Sequence, residues 1–191
     1  MGVKPSEVVL PRRAISQPHP FLVEGGDCGA CVFGGLFGLS VEDAYARLTR
    51  WHPNKARTPV HYEVMRDGIG GLADAYIVDA PIWPIASEWL PFGIHASNQY
   101  GRWQAYVRMA LEAGYYGVAS IDMEGRAGTL SGLGGANHWV LICGWRPDPA
   151  GTMIDEILVS CSARHPEGEW KDTRDFLLKH GGFNVLLARP C

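Results

Sequence analysis

The hydrophobic positions change rhythm partway along the chain. Up to Gly114 they recur mostly at helical spacing; after it they gather into short, dense apolar runs. The stretch CGACVFGGLF predicts a short helix from Cys28 to Phe37. Gly34 and Gly35 weaken it by roughly 1 kcal/mol each against Ala, and glycines kept inside a buried helix point to another element approaching closely. In SVEDAYARLTRW, Ser40 and Asp43 form a capping-box-like pair, and Val41, Ala44, Tyr45 and Leu48 share one face. That helix should end near Trp51, with Pro53 as a stop. A further helix is expected from about Pro59 to Asp67, ended by Gly68. Residues 76–100 hold several prolines and aromatics and read as mainly irregular, with a short strand near Tyr76–Val78. RWQAYVRMALEAG is a helix capped by Gly114.

The later runs YGVASID, HWVLICGW, DEILVSCS and FNVLLAR are rich in Val, Ile, Leu and Trp and predict strands. A Gly-rich loop, residues 125–137, separates the first two, and a short helix from about Thr173 to His180 separates the last two. Helices first and strands later is an α+β pattern. The 191 residues suit a single domain, 1–191, with a loop-rich lead-in over residues 1–24. The apolar share is 47% and the charged share 19%, ordinary for a chain that buries a core. A net charge of -3 without a basic run gives no footprint for nucleic acid or an anionic membrane. No apolar run approaches the ~20 residues of a membrane span. The N-terminus lacks a signal peptide's apolar segment, so a cytoplasmic location is expected.

Two places carry candidate chemistry. Cys28 opens a helix, where backbone N–H groups and the helix dipole favour a thiolate. His138 opens a strand directly after the Gly-rich loop, where a side chain is both held and exposed. A thiol at a helix start and an imidazole on a strand suit a thiolate–imidazolium pair. A turn centred near Pro149 would set His138 opposite Ser160 or Ser162, either of which can accept a hydrogen bond from the ring. It would leave Asp155 roughly 17 Å from His138 along the strand, too far to orient it. Cys28 and Cys31 also spell C-x-x-C. Structural zinc would need two more closely spaced ligands, and a redox pair would normally follow a strand. No cofactor or metal site is therefore expected. Cys143 and Cys161, inside strand-like runs, read as core.

DCGAC at a helix start, GGANHWVLICGW and the closing FLLKHGGFNVLLARP resemble the papain-like cysteine peptidase superfamily, with the bacteriocin-processing (double-glycine) peptidase domains nearest in flavour. The resemblance rests on Asp27, Cys28, Gly29, Asn137, His138, Trp139 and Gly144. It implies an α+β, papain-like fold with an N-terminal helical part packed on a C-terminal antiparallel sheet, and a cleft between them. It implies a hydrolase cleaving a peptide or amide bond of a peptide or protein substrate, with Cys28 as nucleophile and His138 as base. The Cys28 N–H, helped by Gly26 or Asn137, would bind the oxyanion, Ser160 or Ser162 would hold the ring, and Trp139 would wall the cleft. Papain's Cys-Gly-Ser-Cys-Trp stretch points instead to Cys31, whereas helix length after the nucleophile favours Cys28. Two positions depart from the pattern. The oxyanion Gln expected six residues ahead of the nucleophile is Leu22 from Cys28 or Gly25 from Cys31, and Gln17 is out of register. The Asp or Asn of the following strand is replaced by Ser160, Cys161 and Ser162. Acyl transfer by the same pair, or a catalytically degenerate binding module, are the alternative expectations.

Overall fold

A computed structural model describes residues 7–17, 26–50, 60–72, 75–78, 93–123, 138–181 and 185–190. Asn137 and the 125–137 loop lie outside the described residues, as do most of the lead-in's ends. Among the described residues the helices are α1 (Cys28–Phe37), α2 (Val41–Thr49), α3 (Tyr62–Gly70), α4 (Gly93–Glu112) and α5 (Thr173–His180). The strands are β1 (Val8–Val9), β2 (Ala75–Val78), β3 (Tyr116–Ile121), β4 (His138–Pro147), β5 (Ile154–Cys161), β6 (His165–Asp172) and β7 (Val185–Pro190). The fold is α+β, and its antiparallel sheet runs β2-β7-β3-β4-β5-β6, with β1 beside the far end of β4.

The sheet is covered on both faces, which is why β4 reads as an almost unbroken apolar run rather than an alternating one. Trp139, Leu141 and Cys143 face one layer with Val118, Leu158 and Leu186, under α1, α2 and α3. Val140 and Ile142 face the other with Ala119, Ile121 and Val159, under α4 and α5. The expected arrangement of helices on one side is thus a three-layer one, because α4 carries Trp103, Val107 and Leu111 to the opposite face.

Several expected boundaries move for identifiable reasons. Helix α3 does not stop at Gly68 but runs through it to Gly70. Gly68 is there for packing: a Cβ on it would come within 2.6 Å of Leu48 Cδ2. Helix α4 begins at Gly93, inside the stretch read as irregular, because the prolines of that stretch end at Pro91. Strand β6, HPEGEWKD, was not anticipated. It is an edge strand whose polar and charged side chains hide it from an apolar pattern while discouraging pairing with other chains. The β4–β5 hairpin turns later than Pro149, because the Asp148 carboxylate accepts the N–H groups of Thr152 and Met153 and closes a longer loop. The register becomes Leu141↔Ser160 and Ile142↔Val159, so the ladder with β5 ends three positions inside β4 and His138 has no partner on β5. Asp155 falls at the far end, between residues paired with Arg146 and Pro147.

The segment Leu10–Gln17 crosses from the sheet onto α1. Ala14 N donates to Ser160 Oγ at 2.8 Å and Ile15 N to Cys31 O at 3.0 Å. The crossing explains the helix glycines. A Cβ on Gly34 would stand 2.9 Å from Ile15 Cδ1, and one on Gly35 would overlap the carbonyl of Arg13. Backbone cannot yield as a side-chain tip can, and overpacking of this kind costs about 1–3 kcal/mol. Gly35→Ala should therefore lower stability by at least that range in urea titration, more than Gly101→Ala, where a Cβ meets nothing within 4 Å. Equal midpoints for the two variants would show that the strap does not press on the helix.

Candidate active site

Cys28 is the first residue of α1, and Asp27 takes the cap position with its carbonyl accepting Cys31 N at 2.9 Å. Helix α1 points this end at the start of β4. The backbone N–H groups of Trp139, Gly29 and Cys28 itself are directed at the Cys28 sulfur. The Trp139 N–H is available because β5 has already left β4 at Leu141. His138 sits on the neighbouring residue, 6% exposed, and Cys28 is 7% exposed.

The ring of His138 meets a different sulfur. Its Nε2 lies 3.1 Å from Cys161 Sγ, close enough for a hydrogen bond in either tautomer. The register explains the contact. His138 pairs with Ile121 and shares its face with Val140 and Ile142, and Cys161 packs against that same cluster. Cys28 belongs to the opposite cluster. The two groups reach the end of β4 from opposite faces of the sheet, and no hydrogen bond joins Cys28 to His138.

Electrostatics favour neutral forms. Burial pushes the Cys28 thiol up, and the nearby Cys161 thiol opposes ionisation further, against the lowering effect of the three N–H groups. Burial, with the Arg164 charge behind it, lowers His138 to about 4. The easily ionised sulfur expected of a helix start is thus overridden by desolvation in the resting protein. Cys31 is fully buried and pushed up to about 12 by burial, then by Asp27 and Cys28. Of the C-x-x-C pair, Cys28 alone lies against β4's first residues.

The serines do other work. Ser160 is fully buried; its hydroxyl donates to Pro166 O at 2.6 Å and accepts from Ala14 N. It pairs with Leu141 on the face away from His138. Ser162 is buried with its hydroxyl unpartnered among the described residues, and its carbonyl accepts Gln17 N at 2.9 Å. Gln17, distant in sequence from Cys28, has its side chain near Gly26. Gly26 has φ +100°, and a Cβ there would stand 2.8 Å from Gln17 Nε2, so the amide lies against the backbone two residues before Cys28. Trp139 is held from two sides. Its Nε1 donates to Val60 O at 2.6 Å, and its ring stacks on Tyr62 at 6.4 Å between centroids. Val60 in turn lies over Gly29, where a Cβ would come within 2.5 Å of Val60 Cβ.

No family model, curated protein or solved structure matches this chain. Among the described residues, no group of three His, Cys, Asp or Glu side chains is arranged to hold a metal ion. No helix there is long and apolar enough to cross a membrane. Two residues lie nearer Cys28 and His138 than their sequence positions suggested. Cys161 was hidden in an apolar strand, and its signal was face parity with His138 once the hairpin register was known. Gln17 was hidden by the length of chain between it and Cys28.

Two outcomes follow from this geometry. An imidazole held below its ordinary 6.5 makes the unfolded chain bind the proton first, so His138 should lower stability as pH falls from 6.5 to about 4. The loss is ~3 kcal/mol by the end of that window. Denaturant titrations across it should show a shallower acid decline in His138→Gln; parallel curves would contradict the burial argument. Ser160→Ala should cost about 1–3 kcal/mol by stranding Ala14 N and Pro166 O. It should leave Cys28 alkylation kinetics unchanged, and a changed pH profile would restore Ser160 as a partner of the ring.

Proposed function

We propose that the chain is a papain-like thiol hydrolase acting on a peptide or amide bond. The observation that carries this reading is that the Trp139 N–H, on the residue next to His138, is directed at the sulfur of a helix-start cysteine. The element order also fits, with a cysteine-led helix packed on an antiparallel sheet whose central strand opens on histidine.

In this mechanism Cys28 Sγ attacks the substrate carbonyl. His138 takes the thiol proton and later delivers it to the leaving amine, after which water releases the acyl group. With Cys161 on Nε2, Nδ1 is the nitrogen that serves Cys28. The ring closes the remaining gap on substrate binding, as catalytic hydrogen bonds are commonly loose in unliganded sites. Because thiol and imidazole rest neutral, proton transfer accompanies attack rather than preceding it. The Cys28 N–H and the Gln17 amide form the oxyanion site, with Gln17 supplying from the lead-in what the family draws from closer to its nucleophile. Cys161 occupies the place of the family's Asp or Asn. A dry site also suits acyl transfer to an amine, so a nucleophilic amine added to a turnover assay distinguishes water from amine as the acceptor.

The test is iodoacetamide labelling with mass mapping, followed by a peptide-library cleavage assay. Cys28 should label faster than Cys143, and the difference should vanish in His138→Ala. Gln17→Ala should lower kcat by ~10²–10³ with the protein still folded. The acid limb of kcat/KM should fall near pH 4, where His138 of the free protein takes up its proton and can no longer act as a base. Labelling concentrated at Cys161 would transfer the nucleophile's role to the sulfur that touches His138. Equal, slow labelling of all thiols would instead mark a binding module.

A further inference from the structure

We propose that Cys28 and Cys161 form an oxidant-sensitive pair, which peroxide converts into a disulfide across the end of β4. The proposal uses the site described above but not its turnover, so it succeeds or fails whether or not any peptide is cleaved.

Two independent sets of contacts bring the cysteine-bearing segments together. The first is the dipeptide His138–Trp139, whose imidazole touches Cys161 at 3.1 Å and whose Trp139 N–H meets the Cys28 sulfur. The second is Gln17, whose backbone N–H binds Ser162 O while its side chain lies against Gly26. The segments 26–28 and 161–162 therefore converge on one residue from each side. Cys161 also lies beyond the last β4–β5 pair, and a register shift separates it from Val159, so its backbone is not clamped to β4. It is half-buried, which leaves a path for a small oxidant. Cys31, by contrast, is sealed in the helix layer, and Cys143 donates to Leu158 O within the sheet.

The chemistry balances with hydrogen peroxide as oxidant. Cys28 sulfur attacks the peroxide; an S–O bond forms, the O–O bond breaks, and the departing hydroxide takes the thiol proton to become water. Cys161 then attacks the Cys28 sulfenic acid, its proton passing to His138 Nε2. The S–S bond forms, the S–O bond breaks, and the second hydroxide leaves as water with the proton held by the ring. Two thiols and one peroxide give one disulfide and two waters. A thiol placed to resolve the sulfenic acid also protects Cys28 from irreversible further oxidation.

The experiment treats the native protein with stoichiometric hydrogen peroxide, blocks the remaining thiols and maps the unreduced digest by mass. The expected product is a peptide containing Cys28 joined to one containing Cys161, lighter by two hydrogen atoms and released by a dithiol. It should be absent from Cys28→Ser and Cys161→Ser and present in Cys143→Ala. With several equivalents of peroxide, Cys28 should carry sulfinic acid in Cys161→Ser, so that dithiol restores thiol titre fully in the wild type and not in the variant. Sulfinic Cys28 in the wild type, a link to Cys31, or complete alkylation of both thiols after peroxide would each overturn the pair. Wild-type mapping decides the matter even if a serine variant fails to fold.

Discussion

One extended stretch, Leu10 to Gln17, ties the two halves of the site together, and the rest of the geometry hangs on it. Leu10 N binds Cys143 O on β4 at 2.7 Å, Ala14 N binds Ser160 Oγ on β5, Ile15 N binds Cys31 O on α1, and Gln17 N binds Ser162 O. A helix and a sheet share no backbone hydrogen bonds of their own. Their relative placement is otherwise left to side-chain packing, which tolerates small slides. A strand-like strap bonded to both fixes α1 at Cys31 against β4 at Cys143 and β5 at Ser160. Its passage requires Gly35 to lack a Cβ, so residues far from the sulfur set where the sulfur sits.

Within that frame, two opposing effects meet at Cys28. Three N–H groups favour a negative sulfur, while burial at 7% exposure disfavours it and prevails. The same burial keeps the imidazole neutral. At rest both groups are therefore uncharged, and each is held so by the same loss of water around it. The serines show how a dry environment constrains roles as well. Ser160 cannot be both the joint between Ala14 and Pro166 and a partner of the ring.

The parts of the fold legible in the sequence were those governed by local chemistry. Ser40, whose hydroxyl accepts Asp43 N at 3.0 Å, and Gly114, in the left-handed region after α4, mark helix ends that depend on near neighbours. The dense apolar runs of β3, β4, β5 and β7 record burial on both sheet faces. What escaped was decided at a distance. Gly68 looks like a stop unless Leu48 is known to press on it. The edge strand β6 carries few apolar residues because its outer side needs none. The helix start at Cys28 and the strand start at His138, with Trp139 next, were recognisable from local pattern. Cys161 depended on a hairpin register fixed by the Asp148 side chain, and Gln17 on a detour of the chain that no residue spacing records.

The wall beside Cys28 has a layered construction: the Trp139 indole rests on the Val60 carbonyl, Tyr62 stacks behind it, and Val60 lies on Gly29. None of these side chains supplies the sulfur, the imidazole or the amide. The Val60 side chain abuts Gly29, one residue from Cys28, so a bulkier residue at position 60 would press on the first turn of α1 and a smaller one would leave it unsupported. The seat of the helix start is thereby entrusted in part to a residue that belongs to neither the helix nor the sheet.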